Sequence, residues 1–168
     1  MTTKTRHPAR RRKDQPPPST GPGEKDVLLG FLEYLRTSVA SKVEDAPEPD
    51  VRTPGVDSGT NLLGLVNHLA HVERSVFLGE QVARWPATFH ADDDQSVAEV
   101  VADYREAIER ANEVIAAEAD LAGTAWRPKA RSTSPSLRWA LTHMIEETGR
   151  HAGHADILRE LIDGRTGR

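Results

Sequence analysis

One strip of a predicted helix near the C-terminus carries four groups that could ligate a metal or transfer protons: His143, Glu147, His151 and His154. At about 100° per residue along the segment 136–164, all four lie within about 40° of Glu147. Apolar residues share this arc, so the sequence predicts that the strip is buried. Burying three imidazoles and a carboxylate without partners would cost several kcal/mol. A bound metal ion is one partner that would satisfy several of them at once.

Glu147 and His151 lie one helical turn apart and can therefore coordinate the same ion. We expect the third ligand to come from a second helix, where His68 lies at the edge of the apolar face and His71 about 60° further towards solvent. Three protein ligands leave one coordination position open, which is typical of a catalytic zinc site. The donors of His68, Glu147 and His151 suit Zn²⁺, and Ni²⁺, Fe²⁺ and Co²⁺ accept the same set. The alternative is a polar, hydrogen-bonded seam between helices.

The composition of the 168 residues suits one domain and excludes several kinds of chemistry. Cysteine is absent, which rules out thiolate nucleophiles, CxxC redox motifs and cysteine-ligated zinc. No run approaches the roughly 20 apolar residues of a membrane span, and the N-terminus lacks the apolar core of a signal peptide. We therefore expect a cytoplasmic protein that does not interact with membranes.

Charge is distributed unevenly along the chain, whose net charge is −4. Residues 1–25 hold seven Lys or Arg against two acidic residues, a net of +5, so the remainder carries −9. The first 25 residues have no hydrophobic face, and we predict a disordered basic tail followed by a folded domain over 26–168. The basic run at 10–13 could contact nucleic acid or anionic lipid, but a dispensable, solvated extension is favoured. The acidic body does not indicate specific nucleic-acid binding.

Two helices are predicted in the N-terminal half. Apolar residues recur at steps of three and four from Asp26, which we take as the N-cap of the first helix. The second helix is predicted over 61–85, with its cap among residues 58–60. The connector between them is rich in Pro, Gly and Asp.

Two further helices are predicted in the C-terminal half. Ser96 and Glu99 have the spacing of a capping box at the start of the third helix. Ser134, followed by proline, is the predicted N-cap of the fourth helix, and Gly164 is placed where a glycine ends it. Residues 121–134 are expected to form a polar loop, either a lid or wall over the site or a solvated connection. Four amphipathic helices without an alternating strand predict an all-α bundle.

Three segments, LLGFLEYLRTSV, NLLGLVNHLAHVERSVF and SLRWALTHMIEETGRHAGHADILRELIDG, resemble the DinB-like superfamily of four-helix metal-binding proteins. Within it, the chain is most similar to an actinobacterial-type subfamily of unknown function, over roughly residues 26–167. The resemblance implies a DinB-like four-helix bundle with long crossover connections. It also implies a metal bound by one His of the second helix, here His68, and two residues of the last. Many members use two histidines there, whereas Glu147 and His151 are similar to the arrangement in mycothiol-dependent maleylpyruvate isomerases.

The resemblance implies a metal-dependent enzyme that transfers or isomerises a small electrophile with a low-molecular-weight thiol such as mycothiol, or with metal-bound water. His154 falls where many relatives carry Gln, and it could orient a ligand or act as a general acid or base, since its ordinary pKa lies near neutrality. Arg150 at the rim could meet an anionic substrate, although pairing with a neighbouring carboxylate is favoured. The alternative function is a non-catalytic metal-binding or stress-associated protein, and either function is compatible with a homodimer.

Overall fold

Four long helices form where apolar residues recur at steps of three and four. In the computed structural model, which describes residues 16–125 and 135–166, they are α1 (Glu24–Val43), α2 (Leu62–Glu73), α3 (Val97–Ala117) and α4 (Leu137–Asp163). Within these described ranges there is no strand, and a single antiparallel bridge joins Thr124 to Ser136. The predicted all-α four-helix bundle is thereby confirmed. No helix in the described part of the chain is both long and apolar enough to cross a lipid bilayer.

The bundle is built from two closely packed helix pairs. α1 packs mainly along α4 and α2 mainly along α3, while α2 and α4 also touch each other. The first connection, residues 44–61, therefore leads from α1 to a helix that is not its main neighbour. Apolar side chains between the pairs form the core, and burying each of the larger ones contributes about 1.5–3 kcal/mol. The contact between α2 and α4 is the one that positions the candidate site.

The first helix begins three residues earlier than predicted. Gly23 is the N-cap and Glu24 the first helical residue, so Asp26 lies in the first turn, where negative charge is favoured by the helix dipole. Lys25 Nζ donates to the carbonyls of Ile115 and Glu118 at 2.6 and 2.7 Å, which ties this turn to the end of α3. Residues 24 and 25 are thus part of the folded domain, and residues 1–15 of the predicted tail lie outside the described ranges.

The second helix starts and ends differently from the prediction. Its N-cap is Asn61, whose Oδ1 accepts a hydrogen bond from the Gly64 amide at 2.8 Å. After Glu73 the helix continues as one π turn, Arg74–Leu78, and stops at Gly79, which adopts the left-handed conformation with φ 71°. The predicted extension to residue 85 is therefore wrong. This early stop frees the chain to form a separate 3₁₀ turn, Trp85–Phe89.

The C-terminal helices match the predicted pattern more closely. Ser96 and Glu99 form both hydrogen bonds of the capping box, and Gly164 ends α4 with φ 77°. The N-cap of α4 is Ser136, whose hydroxyl accepts from the Trp139 amide, and the helix begins at Leu137 rather than after Ser134. Residues 126–134 of the predicted lid lie outside the described ranges.

Candidate metal centre

The three predicted ligands meet where α2 passes α4. One donor atom from each of His68, Glu147 and His151 lies within 4.8 Å of the others, and no other such group of three occurs in residues 16–125 and 135–166. Glu147 Oε1 is 3.4 Å from His68 Nε2 and 3.2 Å from His151 Nε2. Both histidines are buried, whereas the glutamate side chain is 15% exposed. The structure therefore assembles the predicted set at a place that solvent can reach on one side.

The 3₁₀ turn Trp85–Phe89 forms one wall of the site. Phe89 stacks on the His68 ring with centroids 3.9 Å apart, and Asn67 Nδ2 donates to the Thr88 carbonyl at 2.8 Å. Gly64, one turn before His68, makes this approach possible because a Cβ there would lie 2.0 Å from the Phe89 carbonyl oxygen. Because Gly64 has no side chain, the turn can lie close enough to α2 to reach the imidazole.

Thr88 fixes the tautomer of His68. The Thr88 hydroxyl carries one hydrogen, which it donates to the Trp85 carbonyl at 2.7 Å. Its other contact, His68 Nδ1 at 2.7 Å, must then be the donor. Nε2 of His68 is left with its lone pair aimed at the Glu147 carboxylate.

This arrangement fits a cation. With Nδ1 protonated, His68 Nε2 and Glu147 Oε1 are two acceptors 3.4 Å apart with no hydrogen between them. A divalent metal accepts lone pairs from imidazole and carboxylate alike. His151 is held less firmly, since its Nδ1 is buried without a hydrogen-bond partner among the described residues. The donor chemistry of the three residues therefore fits the predicted metal.

The site favours the protonation states that a metal requires. Burial and the neighbouring His151 lower the pKa of His68 to about 4. Burial also lowers the pKa of His151, which Glu147 offsets only in part. Burial acts to raise the pKa of Glu147, but His151 and His68 outweigh it, so this pKa lies below its usual range. At neutral pH the site thus holds two neutral imidazoles and one carboxylate.

The metal-free protein should lose stability as the pH falls from about 6.5 to about 4. In that window the unfolded chain protonates His68 while the folded protein does not, so the free energy of unfolding rises with pH. We expect His68 to contribute about 2 kcal/mol to this change, allowing for partial solvation. Urea unfolding between pH 7 and pH 4, with the protein kept metal-free by a chelator, measures this change in the free energy of unfolding. The variant His68→Gln should show a clearly shallower dependence, and an equal slope would contradict the assignment.

Replacing Thr88 with valine should weaken metal binding about 10- to 100-fold, because the His68 tautomer and ring orientation lose their support. The substitution keeps the shape of the side chain and removes only the hydroxyl contacts to His68 and Trp85. A zinc competition titration measures the change, and Thr88→Ser is the matched control that should restore most of the affinity. Unchanged affinity in Thr88→Val would show that the hydroxyl does not position the ligand.

The other titratable residues of the predicted strip lie outside the triad. His154 is exposed, with its ring 5.6 Å from that of His151, and His143 stacks on Trp139 at 4.8 Å. The prediction of a fully buried strip is therefore wrong, because the helices around α4 cover only part of that face. His154 borders the site through its contact with His151, and its catalytic role remains a prediction. Arg150 pairs with Glu146, so the favoured interpretation of a carboxylate partner is confirmed.

Sequence reasoning missed the wall of the site. Thr88, Trp85 and Gly64 were not predicted as site residues, although each contacts His68 or places its neighbours. A glycine inside an apolar helical pattern was the available signal, because it destabilises a helix by roughly 1 kcal/mol and so points to a packing reason.

The fold and the three converging side chains define a class: a four-helix bundle with a candidate metal site of two imidazoles and one carboxylate. The chain belongs to the mycothiol-S-transferase family, whose model matches residues 27–164. This confirms the predicted membership of the DinB-like superfamily and its mycothiol-related branch. A search of curated proteins found no match. Membership of the family implies a small-molecule thiol as substrate.

Proposed function

We propose that the protein is a divalent-metal-dependent enzyme that joins a small electrophile to mycothiol or a similar low-molecular-weight thiol, with zinc as the expected metal. The observation that carries the proposal is the convergence of His68, Glu147 and His151 in ligand-ready protonation states, in a chain of the mycothiol-S-transferase family. We also propose a cytoplasmic location, because thiols are kept reduced in that compartment.

Each site residue has a proposed task. His68 presents Nε2 because Thr88 holds its Nδ1 hydrogen, and Glu147 contributes the one negative charge of the ligand set. A divalent metal on these ligands would favour the thiolate form of a bound thiol near pH 7. We assign to His154, which is exposed beside His151, the task of taking up the proton that the thiol loses and passing it to the leaving group or to solvent. The chain has no cysteine, so the sulfur must come from the small molecule.

The test is turnover by zinc-loaded protein on a panel of electrophiles, with mycothiol, with no thiol and with chelator. We expect product formation that needs both metal and thiol. It should be lost in Glu147→Ala and kept in His71→Ala, which changes a histidine of α2 that lies outside the triad. His154→Ala should lower the rate about 10²- to 10⁴-fold while leaving metal content unchanged. Metal-loaded protein that shows neither thiol-dependent nor hydrolytic turnover across the panel would contradict the proposal.

A further inference from the structure

An exposed tryptophan stands beside the metal centre. The Trp85 ring centroid is 5.9 Å from that of His68, and the planes meet at 70°, so the indole and the imidazole make an edge contact. The residue is 42% exposed, although tryptophan is among the residues that gain most from burial. The fold therefore leaves a large part of this aromatic residue open to solvent beside His68.

The exposure of Trp85 is not needed to pack His68, because another residue of the same turn covers the imidazole. Phe89, four residues further along the same turn, covers the imidazole face in a nearly parallel stack with an interplanar angle of 14°. Phe89 is partly buried and packs against the hydrophobic core. The two aromatic residues of one turn thus differ: Phe89 packs inward and Trp85 borders solvent.

The backbone of Trp85 is held in place. Its carbonyl accepts the Thr88 hydroxyl, and the turn is fixed to α2 by Asn67 and by the close approach at Gly64. A ligand that stacks on a preorganised ring loses little free energy to ordering the protein. A half-exposed indole on a fixed turn offers a preformed surface on which a ligand can stack.

We propose that Trp85 forms a subsite for the sugar portion of the thiol, an inference that rests on the proposed function. Mycothiol is N-acetylcysteine joined through an amide to an amino sugar that carries an inositol. Five bonds separate its sulfur from the sugar ring, about 6 Å when extended. The sulfur would sit on the metal that His68 helps to hold, and the Trp85 ring centroid is only 5.9 Å from that of His68, so a sugar on this tether can reach the indole. The C–H face of a sugar ring can cover the indole while its hydroxyls stay in water.

The experiment uses cobalt-substituted protein, in which a bound thiolate gives a charge-transfer absorption that needs no turnover. Mycothiol and the methylamide of N-acetylcysteine (N-acetylcysteine below) are titrated separately; because both carry an amide and no carboxylate, the two thiols differ by the sugar and inositol portion. Trp85→Leu is expected to raise the Kd for mycothiol about tenfold, with Trp85→Phe in between. The Kd for N-acetylcysteine should change less than about twofold. Trp139→Leu is the matched control, since Trp139 is 53% exposed on α4 but stacks on His143.

A second readout covers the case in which Trp85→Leu loses its metal. In the variant Trp126→Phe/Trp139→Phe, Trp85 is the remaining tryptophan of the chain. Saturating mycothiol should change its emission, and saturating N-acetylcysteine should not. Equal affinity of the wild type for both thiols, or an unchanged affinity ratio in Trp85→Leu with full metal content, would overturn the subsite alone. If Trp85→Leu weakens binding of the electrophile but leaves the affinity for both thiols unchanged, Trp85 belongs to the binding site of the electrophile instead. No charge-transfer band with either thiol would overturn the proposed function as well.

Discussion

Alanine at any one of His68, Glu147 or His151 is expected to abolish near-stoichiometric metal binding in protein purified without a nickel column. Each substitution removes one of three converging donors, which lie within 4.8 Å of one another. Loss of a supporting residue behind a ligand already costs 10- to 100-fold in affinity, so loss of a ligand should cost at least about 100-fold. Elemental analysis and zinc competition titrations measure the effect, and circular dichroism checks that the bundle remains folded.

Two histidines provide matched controls for the metal experiment. His71 lies on the same helix as His68, and His154 lies on the same helix as His151, but neither belongs to the converging group. Alanine at either position should leave the metal content unchanged. Wild-type protein that is folded, contains no metal and rejects added zinc would show instead that the triad is a hydrogen-bonded seam. Retained metal in two of the three triad variants would assign the ion to other ligands.

The convergence of the three candidate ligands could be predicted because most of its geometry is local. Glu147 and His151 are one turn apart on one helix, and the periodicity of apolar residues gives the direction in which both point. The third member, His68, needed the additional observation that it lies at the edge of the apolar face of α2. A helical wheel shows the direction in which a side chain points, but it does not show whether a neighbouring helix covers that side chain. It placed His143 and His154 among buried groups, whereas the neighbouring helices leave both partly open.

The wall formed by residues 85–89 could not be predicted from local pattern. Thr88 reaches His68 across 20 residues of sequence, and it does so because α2 stops at Gly79 and because Gly64 lets the returning turn lie on the helix. The length of α2 depended on a glycine in the left-handed conformation that an apolar pattern does not reveal. The residues that orient the ligand therefore become visible only with tertiary packing.

The same limit applies to the most buried ion pair of the bundle. Arg36 of α1 donates from Nε and Nη2 to the two carboxylate oxygens of Glu73 at 2.7 and 2.5 Å, and both side chains are at most 1% exposed. Glu33 and Asn112 accept from Nη1, so four of the five N–H groups of the guanidinium have an acceptor. Burial raises the pKa of Glu73, and the attraction of Arg36 opposes that rise. Thirty-seven residues separate the pair in sequence, and no spacing rule links them.

Glu73→Ala is expected to lower the free energy of unfolding by about 3–5 kcal/mol, because it leaves the Arg36 guanidinium buried without its carboxylate. A domain of this kind has about 5–15 kcal/mol in total, so the loss would be a large part of it. Urea unfolding followed by circular dichroism measures the change. Glu80→Ala is the matched control: Glu80 pairs with Arg110 at 3.0 Å, but both side chains are 44% exposed. That exposed pair should contribute less than about 1 kcal/mol.

The double variant Arg36→Met/Glu73→Leu separates the value of the ion pair from the penalty of an unpaired charge. Removing both charges eliminates two large desolvation penalties together with the attraction that opposes them. Its stability should therefore return to within about 1–2 kcal/mol of the wild type or exceed it. A double variant as unstable as Glu73→Ala would mean that the hydrogen bond of Arg36 to Asn112 holds α1 against α3. Metal binding should persist in every variant that folds, since neither Arg36 nor Glu73 belongs to the triad.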